Sequence, residues 1–166
     1  MTEDAAQVGL RPITTEEFAE FVKRVESGYA SDIEVHGGQT HEAALEKASA
    51  DMAAALPKGM RTPGHVIFVV EADGVDVGRL WLAERTSGGR RTLFVYDVEI
   101  AGDFQSRGYG RAAMRLAEDE ARARGIDYLE LNVFGGNDVA RNLYRSLGYA
   151  ETSVQMRKRL ATDDRT

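Results

Sequence analysis

The chain has 166 residues, 43% of them hydrophobic, with a formal net charge of −6 and no cysteine. That length and apolar content predict one globular domain, residues 1–166, built around a single core. The negative charge argues against a general nucleic-acid or anionic-membrane surface, and the missing thiol excludes disulfides, a cysteine nucleophile and thiolate metal ligands.

In chain order, residues 1 to 8 read as a loose tail, acidic and without the apolar run of a signal peptide. GLRPIT reads as a first strand. TTEEFAEFVKRVES reads as a helix: threonine caps it, Glu16 and Glu17 suit its positive end, and Phe18, Phe21, Val22 and Val25 recur at helical spacing. Gly28 is expected to end it, leaving YASDIEVHGGQT, residues 29–40, as a loop of the kind that carries binding residues. HEAALEKASADMAAAL reads as a second helix, closed by Pro57.

HVIFVVEA, DVGRLWLAER and RTLFVYDVEIA, separated by short turns, read as an antiparallel meander. After residue 101 the pattern changes to a loop, AGDFQSRGYG, and a long helix ending at Gly125. A strand IDYLELNVF follows, then a short helix capped at Asn137 or Asp138, then a last strand YAETSVQMRKRL and a tail from residue 161. The fold class is mixed α/β: a mostly antiparallel twisted sheet flanked by helices. No stretch reaches the ~20 apolar residues of a membrane helix. His36, His41 and His65 form no H-x-x-x-H pair, so no metal is expected, and the chain reads as soluble and cytoplasmic.

The loop QSRGYGRAAM raises the functional question. A helix opens with four unpaired amides and about half a positive charge, and Gly108 and Gly110 at that point let backbone approach a phosphate. The P-loop is excluded, because no Lys-Ser or Lys-Thr follows Gly110. The dinucleotide fingerprint survives only with Ala113 in its third place, and Glu130 is poorly placed for a ribose. The glycines serve either a phosphate cradle or only a tight turn.

The Q-x-x-G-x-G loop at Gln105, Gly108 and Gly110 is followed by an N-x-x-A-x-x-L-Y-x-x-x-G-Y element. The latter holds Asn137, Ala140, Leu143, Tyr144, Gly148 and Tyr149. In this order and separation they resemble the GNAT superfamily of acyl-CoA-dependent N-acyltransferases, with the match clear from about residue 92 to 158. The resemblance implies acetyl-CoA as cosubstrate. Its pyrophosphate would lie on the loop Gln105, Ser106, Arg107, Gly108, Tyr109, Gly110 and Arg111. Its pantetheine arm would lie along the backbone of Val98, Glu99 and Ile100, with Asn137 and Ala140 near it and Tyr144 protonating the departing thiolate. A homodimer is the family's expectation.

Without cysteine, acyl transfer through an enzyme thioester is excluded, and direct attack of a bound amine on acetyl-CoA is the simple alternative. An alkylammonium with a pKa near 10.4 is about one part in a thousand neutral at pH 7, so a base or water chain must take its proton. Asp97 and Glu99 are the candidates. Alternation along LFVYDVEI puts them on one face with Leu93 and Val95, where like charge would raise one pKa; pairing with Arg79 or Arg91 is the other use for them. Trp81, Tyr96 and Phe134 are either pocket walls or core. The expected activity is N-acetylation of a primary amine, on a small molecule. Protein N-terminal or lysine acetylation, and a non-catalytic acyl-CoA-binding module, are the alternatives.

Overall fold

The structure, a computed structural model, describes residues 7–160. The expected loose tails therefore fall almost wholly outside the described residues, except that Val8 already belongs to the first strand. The chain runs β1 (Val8–Pro12), α1 (Thr15–Val35), α2 (His41–Ala55), β2 (His65–Ala72), β3 (Val75–Ser87), β4 (Arg90–Ile100), α3 (Tyr109–Ala123), β5 (Leu129–Leu131) and α4 (Asp138–Ser146). The five strands lie in sequence order in one sheet. The first three pairings are antiparallel and β4–β5 is parallel, as a strand-helix-strand crossover through α3 requires.

Thr14 and Glu17 close a reciprocal capping box at the start of α1. The helix does not stop at Gly28 but continues to Val35, so most of the expected loop is helical. Ala30 and Ile33, each 2% exposed, extend the buried face of Phe21 and Val25 and pack with Ala44 and Ala48 of α2. That packing outweighs the roughly 1 kcal/mol by which a mid-helix glycine disfavours helix.

Helices cover both faces of the sheet. On one, Leu80, Leu82, Leu93 and Val95 pack with Ala113, Met114, Ala117 and Ala121 of α3. On the other, Ile67 and Trp81 meet Phe21 and Val25 of α1 and Met52 of α2. No described helix is long and apolar enough to cross a membrane.

Two strands fall short of expectation. The segment read as IDYLELNVF pairs only over Leu129–Leu131, against Leu93–Val95. The reason lies in β4: Trp81 faces Asp97 and Leu82 faces Val95, so Tyr96 is an extra residue that breaks the ladder. Pairing with β5 stops at the residue before this bulge, and the two strands part beyond it. The last expected strand is absent: residues 151–160 carry no regular structure and are exposed, Val154, Met156 and Leu160 included. Its apolar alternation lacks a neighbouring sheet face to cover it.

Candidate active site

The bulge at Tyr96 decides which way the two acids of β4 point. An extra residue reverses the side-chain alternation beyond it. Leu93, Val95 and Val98 therefore face α3, while Phe94, Tyr96, Asp97 and Glu99 face α1 and α2. The simple alternation that groups Asp97 and Glu99 with Leu93 and Val95 is thereby corrected.

Asp97 and Glu99 share one cation. Arg79 Nε donates to Asp97 Oδ2 at 2.7 Å, and its Nη2 donates to Glu99 Oε2. The Arg79 side chain is 12% exposed, that of Asp97 21% and that of Glu99 48%. Burial pushes the Asp97 carboxyl above the usual carboxylate range even though Arg79 pulls it down; Glu99 and Asp32 push it further up. Gly78, next to Arg79, has no room for a side chain, since a Cβ would collide with the Glu99 carbonyl oxygen and come within 2.8 Å of Ile100 Cδ1. β3 and the end of β4 are thus held in close register.

From Ile100 the chain turns through a short 3-10 turn, Gly102–Phe104, into the glycine loop. Gln105 Nε2 donates to the Ile100 carbonyl at 2.9 Å and folds the loop back on the strand end. Ser106 and Gly108 both have positive φ, 62° and 84°. Gly108 is the N-cap of α3, and no side chain caps the helix there. Gly110 points at the next layer: a Cβ on it would lie 3.5 Å from Leu143 and 3.9 Å from Ile100. Arg111 Nη2 donates to Ser146 Oγ of α4 at 2.7 Å, and Arg107 stands over the Phe104 ring.

α4 brings the remaining candidates. The Asn137 side chain caps it, accepting from the Ala140 amide at 3.1 Å. Tyr144 is half-buried against the α3-side core, with its ring 5.8 Å from that of Tyr149. Burial, followed by the negative charges of Asp97 and Asp32, pushes the Tyr144 hydroxyl up to about 12. Val98, Tyr109 and Tyr144 all pack against the Ala113–Met114 core, so strand end, glycine loop and α4 converge on one region. Among the described residues only β3 pairs with β4 beyond Val95, which leaves the other backbone edge of Tyr96–Ile100 without a strand partner, the Ile100 carbonyl alone being taken by Gln105 Nε2.

The other sequence candidates separate. Trp81 is 3% exposed, stacked on Tyr96 at 4.5 Å, and donates to His65 Nδ1 at 3.0 Å; it is core. Phe134 packs with Ala30 and Ile33 and stacks on His36, so His36 is not a free surface histidine. Sequence reasoning missed Asp32. Read as part of a loop, it has no periodicity; on a continuous helix it falls four residues after Gly28, which approaches Arg79 and Glu99. A shallow groove lined by Glu20, Lys23, Arg24, Ser27, Gly28 and Glu99 opens along the same side of α1.

The chain belongs to the acetyltransferase (GNAT) family, whose model matches residues 31–149. It is 32% identical over 152 residues to the uncharacterized N-acetyltransferase YycN of Bacillus subtilis, covering 91% of this chain and 97% of that one. The crystal structure of that putative acetyltransferase superposes with a TM-score of 0.88 over 94% of this chain and 100% of the other, at 30% identity. A second B. subtilis relative, the uncharacterized N-acetyltransferase YdgE, is 30% identical over the same shares of the two chains. Streptothricin acetyltransferase of Streptomyces lavendulae is 34% identical over 93 residues, which is 56% of this chain and 48% of that one. The protein is accordingly an acyltransferase of a family that uses acetyl-CoA.

Proposed function

We propose that the chain transfers the acetyl group of acetyl-CoA directly to a primary amine of a small cationic molecule. The observation that carries this reading is the convergence of the uncapped start of α3 with Tyr144 and the split edge of β4. The residues suit the coenzyme. Gly108 supplies the left-handed turn, Gly110 keeps the first turn of α3 low, and the free amides of Tyr109, Gly110 and Arg111 meet a pyrophosphate. Acetyl-CoA supplies the acyl group as a thioester. The open edge of Val98–Ile100 hydrogen-bonds the pantetheine arm, and a strand amide there polarises the thioester oxygen. Ala140 packs beside that arm. Asn137, whose Oδ1 already caps α4, reaches it only with its amide nitrogen.

Tyr144 remains a neutral hydroxyl at every physiological pH and donates its proton to the leaving sulfur. Asp97 and Glu99 exceed Arg79 in charge by one, and this local excess attracts an ammonium to the end of β4. The net charge of −6 works in the same direction, and one relative carries the name streptothricin acetyltransferase, which supports a small-molecule acceptor.

Calorimetry with acetyl-CoA tests the reading, comparing wild type with a Gly108→Glu/Gly110→Glu double variant, followed by an amine panel. The panel holds 1,4-diaminobutane, an aminoglycoside and a lysine peptide. Binding lost in the folded double variant, with turnover of a small amine by wild type, is expected. A folded wild type that binds no acetyl-CoA overturns the reading, and turnover of the peptide alone moves the acceptor to proteins.

A further inference from the structure

One face of α1 crosses the gap between the parted strands. Gly28 marks its first contact: a Cβ there would lie 3.8 Å from both Arg79 Nη2 and Glu99 Oε2. Two turns on, His36 stacks on Phe134, ring centroids 6.0 Å apart, and its Nδ1 would stand 3.1 Å from a Cβ on Gly136. Residues four apart share a helix face, so Asp32 lies between these contacts, above the region where β4 and the chain beyond β5 diverge. It is half-buried. Arg79 holds both acids of β4, whereas no described cation forms an ion pair with Asp32 and no described side chain donates to it.

We propose that Asp32 is the base that accepts the proton of the acceptor's ammonium. The proposal rests on the acetyltransferase reading above and deepens it. Each charged group facing Asp32 is accounted for: His36 on its own helix, Glu99 and Asp97 on β4 with Arg79 from β3, and the Tyr144 hydroxyl on α4. Burial first, with Glu99 adding to it and His36 opposing it, holds the Asp32 carboxyl above its ordinary range, a shift in the direction that strengthens a carboxylate as a base. Asp97 is also raised, but its Oδ2 is occupied by Arg79 Nε at 2.7 Å and accepting a proton there would break that bond.

The proton balance closes. Asp32 takes one proton from the ammonium and later releases it to solvent. The neutral amine forms the C–N bond as the C–S bond breaks, and the electron pair leaves on sulfur. Tyr144 protonates that sulfur, and the second amine proton restores the Tyr144 hydroxyl. The net change is ammonium plus thioester to amide, free thiol and one proton.

The test measures kcat/KM against pH for wild type, Asp32→Asn, Asp32→Glu, Asp97→Asn and Glu99→Gln. It uses acetyl-CoA with the best amine among 1,4-diaminobutane, an aminoglycoside and a lysine peptide. Circular dichroism and acetyl-CoA calorimetry monitor folding and coenzyme binding. Asp32→Asn is expected to lose about 100-fold at pH 7, to recover in proportion to the free amine as the pH approaches 10, and to bind acetyl-CoA as wild type does. Asp32→Glu should retain much of the neutral-pH activity, and the two β4 variants, whose lost charges shift the Asp32 titration downward and weaken attraction of the ammonium, should not adopt the amine-limited profile of Asp32→Asn. A loss for Asp32→Asn that is equal at every pH, or below threefold at pH 7, overturns the assignment. So does an amine-limited profile in Asp97→Asn or Glu99→Gln. An inactive wild type that binds no coenzyme sinks the acetyltransferase reading itself, whereas an active wild type with an unaltered Asp32→Asn profile sinks only the role of Asp32.

Discussion

Arg79 and Asp97 form the most sheltered ion pair among the described residues, with Nε 2.7 Å from Oδ2 and side chains 12% and 21% exposed. Removing the cation leaves a half-buried carboxylate facing Glu99 without compensation. Arg79→Met is therefore expected to destabilise the fold by about 3 kcal/mol, and Asp97→Asn by clearly less, because its amide keeps an acceptor for the guanidinium. Urea unfolding of both variants measures this, and equal losses would mean that Arg79 contributes packing rather than charge.

The proposed proton donor, Tyr144, can be tested separately from coenzyme binding. Tyr144→Phe removes the hydroxyl and keeps the ring that packs on the α3-side core, so kcat should fall about 100-fold while the Kd for acetyl-CoA stays within threefold. The same group predicts a stability profile. Its folded pKa of about 12 lies above the unfolded value near 10, so the stability tied to the neutral hydroxyl is intact below pH 10 and is lost as pH rises to 12. Tyr144→Phe should lose stability less steeply across that window. An unchanged kcat would leave Tyr144 as a packing residue.

The two glycines of the loop do different work, and alanine separates them. Gly108 has a φ of 84° and nothing within 4 Å of a Cβ, so Gly108→Ala suffers strain without a clash, about 1 kcal/mol. Gly110 sits in the first turn of α3 with ordinary van der Waals distances to Leu143 and Ile100. Gly110→Ala should therefore match wild-type stability or exceed it by up to about 1 kcal/mol. Identical thermal shifts for the two variants would refute the conformational distinction.

The meander, the α3 start and the Asn137 cap were legible in the sequence because each is written locally. Apolar runs bounded by Asp-Gly and Gly-Gly, a glycine pair before an alanine-rich helix, and an Asn-Asp before a short amphipathic stretch each need no distant partner to interpret. What was hidden depends on tertiary contact. Gly28 reads as a stop until Ala30 and Ile33 are seen packing on Ala44 and Ala48. The bulge at Tyr96 leaves no mark in LFVYDVEI, yet it turns Asp97 and Glu99 toward α1 and ends the pairing with β5. Asp32 became visible only once α1 was continuous. The last strand failed for the opposite reason: a local alternation was present, but no sheet edge receives it.

Acid sensitivity should trace to the start of α1. Arg11 donates to both Glu17 oxygens, at 3.0 and 2.9 Å, and the Thr14 amide donates to Glu17 Oε2 at 2.8 Å. Arg11 first and the Thr14 backbone second hold the Glu17 carboxyl down at about 2. With the folded pKa below the unfolded one, its contribution is complete above about pH 4.5 and is lost as pH falls toward 2. Glu17→Gln should therefore be less stable than wild type at pH 7 and converge with it by pH 2, in thermal melts across that range. A constant difference at all pH values would assign the loss to the capping geometry instead of the charge.

Gly78 offers the sharpest link between backbone packing and the cleft. It pairs with Ile100, and a Cβ would run into the Glu99 carbonyl oxygen, a backbone atom that cannot swing aside as a side-chain tip can. Gly78→Ala must therefore displace the end of β4, from which the Gln105 loop hangs through its bond to the Ile100 carbonyl. The expected stability loss is about 2 kcal/mol, in the range of overpacked core sites. The displacement reaches both halves of the proposed site, because Glu99 lies on one side of the moved segment and the glycine loop follows on the other. Acetyl-CoA affinity should fall at least tenfold, although residue 78 lies outside the glycine loop and the β4 edge assigned to the coenzyme. Calorimetry on the folded variant decides it: an unchanged Kd would mean that the loop is positioned by α3 and α4 alone, independently of the strand from which it emerges.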